Sequence, residues 1–152
     1  MSSENEKCAP PAHEAVGTGC RLTTLRKRSQ LDFEIEFFER ILSRDPNQVE
    51  VLLNLGELFT EKGCHRRALQ VDLRLAQLRP RCPTVMYNLA CSHALLKHER
   101  EALAALRQAV GLGYSDLDYL INDPDLASLR ALPEFNRIVA DMAAHPRTPH
   151  VL

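Results

Sequence analysis

Between Val49 and Tyr114 the chain repeats itself at an offset of 34 residues. Leu52 matches Met86, Asn54 matches Asn88, Leu55 matches Leu89, Gly56 matches Ala90, Ala68 matches Ala102 and Leu75 matches Ala109. A period of this size constrains the fold more than any other feature. It belongs to stacked helical units, none of which can bury its apolar face alone. Within the first unit, Leu52, Leu55, Gly56 and Phe59 recur at i, i+3, i+4 and i+7, one face of a helix. Gly63 breaks that helix, Ala68, Leu75 and Leu78 line the next, and Pro80 stops it. The second unit repeats the plan with Met86, Leu89, Ala90 and His93, then Ala102, Leu106 and Ala109, and ends on Gly111, Gly113 and Tyr114.

This pattern resembles the tetratricopeptide repeat. Gly56, Ala90, Ala68 and Ala102 fall on that family's small positions, where two helix backbones approach closely. The resemblance covers residues 49–114 and extends to 31–46 as half a repeat. It implies an all-α solenoid whose first helices line a concave surface. Three positions depart from the pattern. Asp72 stands where the family has a large apolar residue, and His93 replaces an aromatic. Lys97 occupies the turn position of Gly63, where left-handed backbone costs a non-glycine residue about 1–2 kcal/mol.

Both ends differ from the repeats. Residues 1–29 hold Pro10, Pro11, Gly17 and Gly19 without sustained periodicity and read as a flexible tail. Residues 30–46 form a half-repeat, its helix running from about Gln30 to Arg44 with Phe33, Phe37, Phe38, Ile41 and Leu42 on a wide apolar face. Aligning Pro46 with Pro80 makes it a second helix without a first. It is expected to cap the array by covering the 49–62 helix. The repeats then occupy 47–80 and 81–114. In 115–144 a third regular repeat gives way to a helical cap. Asp123-Pro124-Asp125 there is a helix start with Pro at the first position and acids in the first turn. Pro133 opens a last helix that turns Phe135, Ile138, Val139 and Met142 inward, and 145–152 is a second tail. The stretch from Asn122 to Phe135 resembles the ending that closes many bacterial tetratricopeptide arrays.

Charge and composition exclude several roles. The net charge of −1 gives no general attraction to nucleic acid or membrane, and Arg26-Lys27-Arg28 is too short for a nucleic-acid footprint. The sequence holds no run of apolar residues long enough to cross a bilayer and no secretory signal, so a cytoplasmic location is the default. The five cysteines, Cys8, Cys20, Cys64, Cys82 and Cys91, match no zinc or disulfide framework and are expected to be reduced thiols. No phosphate loop, nucleophile elbow or zinc-protease motif appears. No cofactor is implied.

By the resemblance, the concave face carries Glu50, Leu53, Asn54, Glu57 and Glu61 from the first unit and Thr84, Tyr87, Asn88, Cys91 and Leu95 from the second. Asn54 and Asn88 stand one repeat apart, a short amide ladder suited to an extended peptide or, equally, to bonds with their own scaffold. Members of the family that clamp a chaperone's acidic C-terminus use Lys and Arg in this groove. Here Leu53, Glu57, Tyr87 and Cys91 stand near those places and cannot do that work. With Glu50, Glu57 and Glu61 on the inner helix, and Arg66, Arg67, Arg74, Arg79 and Arg81 on or beside the outer one, the groove suits a neutral or basic peptide or helix.

Asp72 lies within an apolar stripe, where an unpaired carboxylate is costly, and is expected to pair across the repeat interface with His93 or with Tyr87. Cys91 beside His93 suggests a nucleophile and base, but residues two apart on a helix do not face one another. Cys64, His65, Cys91, His93 and His98 likewise lack the spacing of a metal site. The reading is a non-catalytic interaction module, of adaptor, scaffold or co-chaperone-like kind, holding part of another protein. The alternative is a homodimer in which Leu53, Tyr87 and Leu95 pack on a second copy.

Overall fold

The computed structural model describes residues 29–145. Seven α-helices follow in order: α1 (Gln30–Leu42), α2 (Val49–Glu61), α3 (His65–Leu78), α4 (Pro83–Leu95), α5 (Glu99–Leu112), α6 (Leu117–Asn122) and α7 (Pro133–Ala144). A 3-10 segment, Pro124–Leu129, lies between α6 and α7. No strand occurs among the described residues. The fold is an all-α solenoid, two helix-turn-helix units with helical elements at either end.

The two units repeat hydrogen bond for hydrogen bond. At the first turn the Cys64 amide donates to Phe59 O over 2.7 Å and Gly63 to Thr60 O over 2.9 Å. At the second, His98 donates to His93 O over 2.9 Å and Lys97 to Ala94 O over 3.0 Å. Both turns need one left-handed residue. Gly63 supplies it at φ 78°, and Lys97 adopts it at φ 62° despite its side chain. Pro83 opens α4 at its first turn, where no intrahelical partner for its missing N–H is required.

Each helix inside the stack has neighbours on two sides. The α3 helix packs between α2 and α4, and α4 packs between α3, α5 and the 3-10 segment. Enclosure explains why α4 is apolar nearly all round, with Val85, Met86, Tyr87, Leu89, Ala90, Cys91 and Ala94 buried. Two cores result. One joins Ile35, Leu52, Leu55, Phe59, Ala68 and Leu75; the other joins Met86, Leu103, Leu106, Leu120, Leu126 and Phe135. In α7, Phe135, Ile138 and Met142 are buried and Val139 packs partly against the same core.

The α1 helix departs from expectation. It starts with a capping box, in which the Ser29 hydroxyl accepts from the Asp32 amide and the Asp32 carboxylate accepts from the Ser29 amide. Lys62 pairs with Asp32 at 2.6 Å, Arg67 pairs with Glu39, and Arg74 donates to Asn47, tying α1 and its following loop to α2 and α3. Hydrogen bonds from Lys62 and Ser29 hold the Asp32 carboxyl below its usual pKa. Yet the side of α1 that covers α2 is the stripe Leu31, Ile35, Phe38 and Leu42, of which Ile35 is fully buried. Phe33 and Phe37, expected on that covering face, stay 60% and 52% exposed. The helix carries two apolar stripes, and among the described residues a neighbouring helix covers one of them.

The cysteines also need a correction. Cys82 and Cys91 are free thiols, but Cys64 is disulfide-bonded rather than reduced. Cys8 and Cys20 lie outside the described residues, as do residues 1–28 of the expected first tail and residues 146–152 of the second.

Candidate functional site

The face nominated from the sequence divides into an open half and a closed half. On α2, Glu50, Asn54, Glu57 and Glu61 are exposed and Leu53 is half-buried. On α4, only Thr84 is exposed; Asn88 and Leu95 are half-buried, and Tyr87 and Cys91 are buried.

The C-terminal cap closes the second half. Asp123 caps the 3-10 segment, its Oδ1 accepting from the Asp125 amide over 2.9 Å. Its other oxygen takes the Tyr87 hydroxyl at 2.6 Å and faces the Cys91 thiol at 3.6 Å. The Arg130 guanidinium bonds the Asp123 carbonyl at 2.8 Å. Tyr114 stacks flat on Tyr87, ring centres 4.2 Å apart, and Tyr119 leans on it at 6.0 Å. Burial, followed by the Asp123 hydrogen bond, pushes the Tyr87 phenol well above its usual pKa. Burial and the Asp123 charge do the same to the Cys91 thiol, which disfavours its thiolate form. Tyr87 and Cys91 belong to the inner wall of the cap rather than to a free surface.

The open half is a groove between α1 and α2 with a cavity volume of about 420 Å³. Phe33, Glu34, Phe37 and Phe38 line one wall, and Asn54, Glu57, Leu58 and Glu61 line the other. Three residues nominated from the sequence, Asn54, Glu57 and Glu61, meet here. The Asn54 amide donates to Glu50 O over 2.7 Å, so one of its two N–H groups is used by its own helix. Glu57 and Glu61 form no ion pair among the described residues. Aromatic surface thus lies beside three carboxylates.

Sequence reasoning missed Phe33 and Phe37 as part of this groove, although the repeat itself held the signal. Shifting by 34 residues places Phe37 over Val71 and then Ala105, and Ile41 over Leu75 and then Ala109. Those four counterparts are 9%, 7%, 0% and 0% exposed, and Val71 lies against Gly56 of the first helix of its own unit. No such helix precedes α1 among the described residues.

The expected pairing of Asp72 is also corrected. Its partner is neither His93 nor Tyr87 but Ser92, whose hydroxyl donates to Asp72 Oδ2. The carboxylate fits because Gly56 faces it, where a Cβ would stand 3.3 Å from Asp72 Oδ1. Burial raises the Asp72 pKa to about 6, and the Ser92 bond only partly opposes this. His93 instead faces His98, their Nδ1 atoms 3.4 Å apart, and burial followed by the His98 charge lowers its pKa. Asp72, His93 and Cys91 therefore turn to three different partners and form no nucleophile–base chain. Among the described residues no three His, Cys, Asp or Glu side chains gather as metal ligands, and no helix is long and apolar enough to cross a membrane.

No protein-family profile matches the chain. A chloroplast protein of Arabidopsis thaliana is 30% identical over 95 residues, covering 60% of this chain and 28% of that protein. The chain thus spans little more than a quarter of that relative's length. Among solved structures, one crystal structure of MamA superposes with a TM-score of 0.61 at 23% identity, covering 78% of this chain and 68% of the other. A second MamA structure gives 0.62 at 21% identity, with coverages of 78% and 67%. MamA is a tetratricopeptide-like helical-repeat protein, and the likeness shows a fold of that type.

Proposed function

We propose that this protein is a non-catalytic interaction module that holds a peptide segment or helix of another protein on its concave side. The observation that carries this reading is the α1–α2 groove, where exposed Phe33 and Phe37 stand beside Asn54, Glu57 and Glu61. Exposed aromatic side chains backed by a rigid helical scaffold lose little freedom on binding and supply most of the energy of such interfaces. The carboxylates favour a neutral or basic segment. Because the α4 half is closed by the chain's own cap, the working surface is the first half of the face.

A pull-down from the source cell tests this, comparing wild type with Asn54→Ala/Glu57→Lys/Glu61→Lys. All three sites are exposed, so the variant is expected to keep its helical circular dichroism. A protein captured by wild type and lost by the variant supports the reading; identical captures, or none, end it.

The same exposed aromatics favour a second reading, a homodimer through this groove. The expected trio Leu53, Tyr87 and Leu95 cannot form its interface, since Tyr87 is buried; Phe33 and Phe37 take that part. A molecular mass that doubles with concentration, and stays monomeric in Phe33→Ser/Phe37→Ser, identifies this case.

A further inference from the structure

Among the described residues no first helix precedes α1, and the groove has the place and the lining of one. In the full units, α3 and α5 each carry one buried stripe: Ala68, Val71, Asp72 and Leu75 in one, with Val71 and Asp72 facing Gly56 of the first helix of their own unit, and Ala102, Ala105, Leu106 and Ala109 in the other. The same register in α1 reads Glu34, Phe37, Phe38 and Ile41. Phe37 is 52% exposed where its two counterparts are buried. A first helix belonging to α1 would lie against this stripe and alongside α2, in contact with Asn54, Glu57 and Glu61. Those walls are the ones that line the groove.

We propose that this position is filled in trans by an amphipathic helix of another protein, apolar toward Phe33 and Phe37 and basic along its flank. The inference rests on the interaction reading above and specifies its ligand. Its physical basis is twofold. The stripe is shaped by the repeat to receive a helix rather than an extended strand, because the adjoining units show helices seated on the equivalent residues. The rim is acidic: Glu57 and Glu61 make no ion pair among the described residues, and Glu34 accepts a hydrogen bond from the neutral Gln30 amide at 2.6 Å. A lysine- or arginine-flanked helix would meet three carboxylates, while an acidic helix would be repelled. The incoming helix would complete the half-repeat and cover the apolar end that a solenoid otherwise leaves to water.

The test uses the full chain and a labelled, alanine-based helical peptide of about 16 residues, long enough to match one repeat helix. The peptide carries Leu at i, i+3, i+4 and i+7 with Lys on its flanks; a twin carries Glu in place of Lys. Fluorescence anisotropy is expected to show saturable binding of the Lys peptide and at least about tenfold weaker binding of its twin. Phe33→Ser/Phe37→Ser should weaken the Lys peptide by about tenfold or more, the scale expected when an aromatic contact is removed. Glu57→Lys/Glu61→Lys should reverse the preference between the two peptides. The inference is overturned if the full chain binds neither peptide, binds both alike, or binds independently of these four residues. It is also overturned if the chain's mass doubles through Phe33 and Phe37, for then a second copy fills the place. A negative result here with a groove-dependent partner in the pull-down leaves the interaction reading standing and removes only the basic helix.

Discussion

The two ends of this solenoid solve the same problem in opposite ways. At the C-terminal end, the chain folds back and covers the last full unit. Asp123 caps the 3-10 segment and binds Tyr87 with the same carboxylate, and the Tyr87 ring beneath it is stacked and buried. At the N-terminal end, α1 covers α2 with one stripe and leaves Phe33 and Phe37 bare. A regular repeat offers similar surfaces all along its length; the ends decide which of them stay open. Here the cap withdraws Tyr87 and Cys91 from the face nominated by the sequence, and the half-repeat sets two exposed phenylalanines beside its open part.

The comparison can be broken most severely at the closed end. Asp123→Ala strips the acceptor from Tyr87 and from the Asp125 amide in a buried place, and should cost about 3 kcal/mol. Urea denaturation would show this as a lower midpoint with an unchanged slope. A loss under about 1 kcal/mol would mean that the cap is held by packing alone.

Between the ends, Asp72 gives a pH-dependent test. Its folded pKa of about 6 lies above the ordinary value of 3.8, so the folded chain holds more protons than the unfolded one between those values. Stability should therefore fall as pH rises from about 4 to about 6 and remain lower above that range. Asp72→Asn keeps an acceptor for Ser92 and removes the charge. It should stabilise the protein at neutral pH by about 1–3 kcal/mol and flatten its own share of this pH dependence. Melting curves at several pH values decide it, and a slope unchanged by the substitution would show that Asp72 is not the titrating group.

The two repeat turns allow a finer comparison. Lys97→Gly relieves left-handed strain that Gly63 never had, and should raise stability by about 1 kcal/mol. Gly63→Ala should lower it by a similar amount. Thermal melts of the two variants beside wild type check both signs.

The smallest effect belongs to the open end. Phe37→Ser should change stability by less than about 0.5 kcal/mol, as for a surface position, while weakening any ligand of the groove. A loss above about 2 kcal/mol would show that Phe37 is buried in solution and that the two ends are alike.

Much of this was legible in the residues. The 34-residue offset places both turns, the left-handed Lys97 and the close approach at Gly56, and Pro133 marks the start of α7, because each rests on local backbone geometry or on a period. The same offset also pairs Phe37 with Val71 and Ala105, and among the described residues no helix precedes α1 to cover it as they are covered. Contacts between segments far apart in sequence were not legible. That Asp72 bonds Ser92 rather than its neighbour His93 depends on how two helices are rotated against each other, and one residue along a helix turns a side chain by about 100°. That Tyr87 is sealed by Asp123 depends on where the cap folds back, 36 residues later in the chain. Periodicity determined which residues share a face; only the tertiary structure decided which faces meet water, because burial is a property of neighbours and the sequence order does not name them.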